Sequence, residues 1–184
     1  MDDLQLVERT RQGDDTAFAA LFERHKAAVY RYALHMRRQD QASADDVVQE
    51  VFLAFLRQLG QYDATRGSVA AYLVGIARRQ LFRLVDRERF DDPIDEATPI
   101  AWPGEDPLEG LTRAETIDRV RAAIGMLPPA FREAVVLCDL NELDYASAAS
   151  VIGCPIGTVR SRLHRARALL MKALDTAWRK TSIA

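Results

Sequence analysis

An all-helical chain divided into two small domains is what this sequence predicts, and three observations predict it. Apolar residues recur at spacings of three and four through most of the length, and no segment alternates with the period of two that a strand needs. That periodicity vanishes between 89 and 112, where Pro93, Pro99, Pro103, Pro107 and Gly104 interrupt an acidic stretch. Near the C-terminus, Gly153-Cys-Pro-Ile-Gly-Thr-Val-Arg-Ser-Arg-Leu-His-Arg-Ala-Arg167 reads as a tight turn opening into a strongly basic helix.

At 184 residues the chain suits one domain or two small ones. Hydrophobic residues make up 48% and charged residues 28%, as in an ordinary globular protein. The net charge of −2 does not announce nucleic-acid binding, but the charge is segregated. The runs 78–89 and 160–172 are basic, while 91–109 holds seven acidic residues and no Lys or Arg. Any nucleic-acid contact is therefore made by patches. The N-terminus is acidic and lacks an apolar core, so it reads as no signal peptide, and no apolar run is long enough to span a membrane. Cys138 and Cys154 read as buried or capping thiols in a reducing compartment. His25, His35 and His164 have no metal-ligand spacing and read as helix-surface residues, and no cofactor is implied.

Taken in order, Asp14-Asp15 can cap a long helix whose stripe is Phe18, Leu21, Phe22, Val29, Tyr32, Ala33 and Met36, with His25 filling the gap. Ser43 can cap the next helix. Its wide apolar face is Val47, Val48, Val51, Phe52, Phe55, Leu56 and Leu59. On the opposite side Asp46, Gln49, Glu50, Leu53 and Arg57 share one stripe. Leu53 is either a lone exposed leucine or the centre of a polar-rimmed interface, and the stripe alone leaves both open. Gly60 ends this helix, and Gln61 to Gly67 form a turn-rich loop.

Ser68 can cap a further helix lined inside by Val69, Leu73, Ile76, Ala77, Gln80 and Leu84. Tyr72, Arg79 and Arg83 share one flank of it, while Arg78 and Arg87 add charge elsewhere. An aromatic beside arginines, next to a polar loop, suits a single strand: the ring stacks on bases and the arginines neutralise phosphates. A solvated basic helix end fits the same residues.

After the acidic linker the pattern resumes at Ala114 with Ile117, Val120 and Ile124, and Leu127-Pro-Pro breaks it. Phe131, Ala134, Val135 and Cys138 continue in a short helix. Asp144 caps the next, Tyr145 to Ile152. Gly153 ends it, and Pro155 suits the first turn of the last helix. There Val159, Leu163, Ala166, Leu170 and Leu174 form the buried stripe. Thr158, Ser161, His164 and Arg165 point the other way, with Arg160 and Arg162 on the flanks. Two helices joined by a glycine turn, the second basic outside, make a helix-turn-helix whose arginines can pair with guanine edges and phosphates.

Three blocks carry a family resemblance: Ala44 to Arg57, Ser68 to Arg87, and Leu127-Pro-Pro-Ala-Phe-Arg-Glu-Ala-Val together with Gly153 to Arg167. With these the chain resembles a bacterial sigma factor of the extracytoplasmic-function (ECF) group, over roughly residues 10 to 176. The resemblance implies two helical domains, region 2 over 10–88 and region 4 over 113–177, on a flexible acidic linker, 89–112. It implies a cytoplasmic, non-enzymatic factor that joins core RNA polymerase and directs it to promoters. Asp46, Gln49, Glu50, Leu53 and Arg57 match the helix that docks on the β′ clamp helices, with the β subunit also in contact. Thr65, Arg66 and Gly67 match the loop that captures a flipped base of the −10 element, and Tyr72, Arg79 and Arg83 the helix at its upstream edge. Arg160, Ser161 and Arg165 match −35 contacts, with Thr158 and Arg162 near phosphates. An anti-sigma factor is an expected partner.

The chain departs from the family at several places. Tyr72 stands where relatives often have Trp, and Val74-Gly75 where they often have an aromatic-basic pair. Ala148 replaces a larger aliphatic, which implies looser packing, and Ala146, Ser147 and Ser150 replace residues that are often acidic. The C-terminal block alone would also suit a stand-alone helix-turn-helix regulator, and a helical adaptor that binds only protein is a third reading.

Overall fold

The computed structural model describes residues 1–37, 40–84 and 113–179. The linker predicted at 89–112 lies outside the described residues. Every regular element among those described is helical, as the periodicities require.

The first module is four helices. α1 (Asp3–Arg11) has no counterpart in the sequence reading, because its inward residues are Leu6, Val7 and the polar Thr10, and two apolar positions make no stripe. Asp2 and Gln5 close a capping box at its start. Asp3 then ties α1 to α2 (Asp15–Met36): its carboxylate accepts from Arg24 Nη1 at 2.6 Å and lies 2.8 Å from His25 Nε2. His25 and His35 are buried, at 7% and 5% exposure, which corrects their assignment to the surface. The gap that His25 fills in the apolar period is a core position with a polar partner. Asp14 caps α2 as expected, bonded to the backbone N–H groups of Thr16 and Ala17.

α3 (Gln41–Arg57) starts earlier than expected. Asp40, not Ser43, is its cap, accepting from the Ser43 N–H at 3.2 Å. The Ser43 hydroxyl instead accepts from Arg37. Val47, Val48, Val51, Phe52 and Phe55 are buried, and Phe52 meets Phe18 and Phe22 edge-on. Short 3₁₀ turns at Leu59–Gln61 and Ala64–Arg66 follow, and α4 (Val69–Leu84) lies across α2 and α3. Ser68 caps α4, its hydroxyl accepting from the Ala71 N–H. Val74 is fully buried.

The second module holds α5 (Arg113–Met126), α6 (Pro129–Val135), α7 (Tyr145–Ile152) and α8 (Ile156–Arg179). Pro128 and Pro129 separate α5 from α6. The end of α5 is closed by buried Arg132, whose guanidinium donates to the carbonyls of Ile124, Gly125 and Leu127. A helix end leaves such carbonyls unpaired, and a basic side chain there satisfies them. α6 runs on as a π-helical turn, Val136–Leu140. Asp144 caps α7, accepting from the Ser147 N–H at 2.8 Å. Gly153 ends α7 at φ +78°, a left-handed conformation that an L side chain resists. Pro155 sits one place before α8, its carbonyl accepting from the Thr158 and Val159 N–H groups.

The two modules pack against each other, which neither periodicity nor composition foretold. α2 and α4 lie against α6, α7 and the π-helical turn. The centre of the contact is Glu133, 1% exposed, whose Oε1 accepts from the Tyr32 hydroxyl at 2.6 Å and from Arg78 Nε at 2.8 Å. Burial, and the Glu133 carboxylate beside it, push the Tyr32 hydroxyl well above its ordinary pKa. At one side Asn141 donates to the Ala28 carbonyl and accepts from Arg31.

Candidate nucleic-acid interface

Asp46, Gln49, Glu50, Leu53 and Arg57 are all exposed on the face of α3 turned away from the core. The same periodicity that buries Val47, Val51 and Phe55 puts them there. Leu53 is 52% exposed. Leu56, assigned to the inner face, is 39% exposed and joins it. The arc that α2 and α4 cover stops short of Leu56 and is narrower than the apolar run. Leucines three apart on one helix lie side by side, so the pair makes a continuous apolar spot inside a charged rim.

The loop between α3 and α4 is held by its own side chains. Asp63 Oδ1 accepts from the Thr65 backbone at 2.9 Å and from the Thr65 hydroxyl at 2.7 Å. These bonds hold the Asp63 carboxyl below its usual pKa. The Thr65 hydroxyl is thus engaged within the loop, while Arg66 beside it is exposed. Gly67 has φ +154°, and its carbonyl accepts from the Tyr62 hydroxyl at 3.1 Å.

Tyr72 is half-buried rather than open, edge-on to Tyr62 at 5.3 Å and Phe55 at 6.1 Å between centroids. Arg79 is exposed on the same flank, and the Arg83 side chain lies outside the described residues. Arg78, set apart from this flank in the sequence, turns toward Glu133 and lies over the Phe82 ring, 4.2 Å from its centroid. Arg66, Gly67, Tyr72, Gly75 and Arg79 line a cleft of about 470 Å³. Its far wall is α7, through Ser147, Ser150 and Val151.

α8 presents its outer face openly. Val159, Leu163 and Ala166 are buried against α6 and α7. Arg160, Ser161, His164 and Arg165 are exposed, and Thr158 and Arg162 are half-buried at the flanks. Arg160 extends over the Tyr145 ring, 5.6 Å from its centroid, and the Ser161 hydroxyl donates to the Thr158 carbonyl. Arg167 is held apart from this face by a two-pronged pair with Asp139, at 2.5 and 3.1 Å. A short helix, a left-handed glycine and a basic second helix have the geometry that places a helix in a major groove.

Comparison with known proteins agrees with this geometry. The sigma-70 region 2 profile matches residues 21–90, and the sigma-70 region 4 profile matches residues 117–170. The RNA polymerase sigma-H factor of Pseudomonas aeruginosa is 33% identical, over 97% of this chain and 96% of its own length. The chain belongs to the sigma-70 family of RNA polymerase sigma factors. The ECF sigma-E factor of Escherichia coli K12 is 32% identical, over 91% of each chain, which places this sigma factor in the ECF group. Among solved structures, CnrH in complex with the cytosolic domain of CnrY superposes with a TM-score of 0.69 at 26% identity, over 95% of this chain and 97% of that one. The sigma factor RpoE of Bartonella quintana, solved with the anti-sigma factor NepR, shares the fold with a TM-score of 0.65 at 24% identity, over 86% of this chain and 96% of that one. A sigma factor binds core RNA polymerase and directs initiation at particular promoters, and that is the function of this chain. Among the described residues of this sigma factor, no helix is long and apolar enough to cross a membrane.

Proposed function

We propose that the two modules divide the sigma factor's work between named faces. The first, with its boundaries near 10–88, docks on the β′ clamp helices through Asp46, Gln49, Glu50, Leu53 and Arg57, with Leu56 extending the apolar centre. The same module reads the −10 element through Thr65, Arg66, Gly67, Tyr72, Arg79 and Arg83. The second, near 113–177, reads the −35 element through Arg160, Ser161 and Arg165, with Thr158 and Arg162 at phosphates. The observation that carries this reading is the pair of outward faces on one chain: the Leu53–Leu56 spot within a charged rim, and the basic face of α8 after its glycine turn.

The mechanism is binding rather than catalysis. Phosphate and major-groove contacts hold the −35 duplex in register. Docking free energy offsets unpairing at −10, which costs a few kcal/mol per extruded base. The chemistry belongs to the polymerase, and the factor acts in the cytoplasm, where that enzyme works. An anti-sigma factor is the expected inhibitor, by analogy with the Bartonella protein solved with NepR.

The test is co-purification with core polymerase. Leu53→Asp and Glu50→Lys are expected to abolish it without loss of helical content. Normal binding by both variants would overturn the docking assignment.

A further inference from the structure

Arg11, in the last turn of α1, reaches the loop between α3 and α4. Its Nη2 donates to the Leu59 carbonyl at 3.2 Å and to the Tyr62 carbonyl at 2.7 Å, 48 and 51 positions away. These carbonyls stand at the start of the 3₁₀ turn Leu59–Gln61 and just past its end, where the chain leaves α3 for the loop. One planar guanidinium thereby fixes the point from which the loop departs. Its Nη1 donates to Glu8 Oε2 at 3.4 Å, which orients the fork from the other side. The helix that carries Arg11 is itself pinned to α2 at both ends. Asp3 meets Arg24 and His25 near the start, and Arg9 Nε donates to Asp14, the α2 cap, at 2.7 Å. Tyr62 passes the constraint on. It is 6% exposed, and its hydroxyl donates to the Gly67 carbonyl at the far end of the loop at 3.1 Å. Its ring meets Tyr72 edge-on at 5.3 Å. The loop is thus closed across its base by a side chain whose own backbone Arg11 holds, while Thr65 and Arg66 between the two ends stay exposed.

We propose that Arg11 is a positioning residue for −10 recognition, holding through Leu59 and Tyr62 the loop that bears Thr65, Arg66 and Gly67. It touches no base itself. The inference rests on the assignment of that loop to the −10 element. Held in this way, the loop is already ordered when it takes a base. Each residue left to be ordered at that moment would lower affinity by about 10-fold.

Arg11→Gln and Arg11→Lys test this on the full chain, alone and assembled with core polymerase. The Arg11 side chain is 37% exposed, so its replacement leaves no buried hole. Hydrogen exchange of the loop amides is measured in the free factor. Binding of a single-stranded −10 non-template oligonucleotide, with each base varied in turn, is measured in the holoenzyme at several salt concentrations. In Arg11→Gln the loop amides should exchange faster, strand binding should weaken by about 10-fold, and preference among bases should flatten. Binding of core polymerase and of a −35 duplex should stay unchanged. The salt slope of strand binding should also stay unchanged, because Arg11 contacts no phosphate. In Arg11→Lys, which keeps the charge, affinity should follow exchange, both restored or both lost. Unchanged loop exchange in Arg11→Gln would overturn the positioning role. So would a salt slope smaller by about one, which makes Arg11 a phosphate contact. A lysine variant with fast exchange and full affinity would overturn it too, since charge alone would then suffice. Faster exchange with unaltered strand binding would instead overturn the placement of −10 contacts on this loop, and the role of Arg11 with it.

Discussion

The two surfaces assigned to DNA sit in opposite circumstances. The outer face of α8 meets solvent, and its arginines stand on a helix whose buried stripe fixes their direction. The flank of α4 has the same ingredients, an aromatic among arginines, yet faces α7 and has its Tyr72 ring packed against Tyr62 and Phe55. A helix's own periodicity determines which side is polar. Whether that polar side is free depends on what the rest of the chain lays against it. The outer face of α3, proposed for docking, falls with α8, because no described element covers it.

The comparison breaks first if an open face can be spoiled without consequence. Leu53→Asp places a carboxylate at the centre of the exposed apolar spot. A central interface residue contributes about 2–4 kcal/mol, so polymerase binding should fall by about 30-fold or more. Surface plasmon resonance with core enzyme measures it, with circular dichroism confirming an intact fold.

The covered side should respond to acid. His35, 5% exposed, is pushed down to a pKa of about 4 by burial and by the charges of Arg121 and Arg132 in the second module. Its ordinary value is near 6.5, so between about pH 6.5 and 4 the unfolded chain holds a proton that the folded chain excludes. Stability is therefore full above pH 6.5 and declines as pH falls toward 4, by at most about 3 kcal/mol. Urea titrations across this range should show a smaller decline for His35→Leu than for the parent chain. An equal decline in both would show that His35 does not bear the effect.

On the open side, Arg160→Ala should weaken a −35 duplex by about 1–3 kcal/mol and relax preference at one base pair. Gel shifts with duplexes altered base by base test this. Uniform weakening across all sequences would make Arg160 a phosphate contact. The smallest change is Asp144→Ala, which removes the α7 cap and should lower stability by about 1 kcal/mol, read as a lower denaturation midpoint.

Much of the fold was legible because its signals are local. Asp14, Ser68 and Asp144 cap the helices that follow them, and Gly153 turns the chain where only a left-handed residue serves. Val159, Leu163 and Ala166 face inward as their spacing requires. The misses turn on which groups each side chain meets. Asp40 takes the cap, and the Ser43 hydroxyl accepts from Arg37 instead. His25 lay in the core because Asp3 of α1 meets it. Leu56 was exposed because its neighbours cover a narrower arc than the apolar run suggested. Arg132 and Glu133 stand in a block that carries the family resemblance, but the sequence assigns neither a structural role, since charged residues inside a short helix normally face water. Here one closes α5 and the other joins the modules.

The order of residues by itself determined the helical class, the break into two modules, the glycine turn and the side of each helix that carries charge. These follow from spacing and capping within a few residues, where backbone hydrogen bonds and side-chain direction are set. Only the tertiary structure decided that Glu133 would be shared by Tyr32 and Arg78 and that α7 would stand over the α4 flank. Such contacts depend on desolvation and charge compensation between groups up to 101 positions apart, which no local pattern encodes.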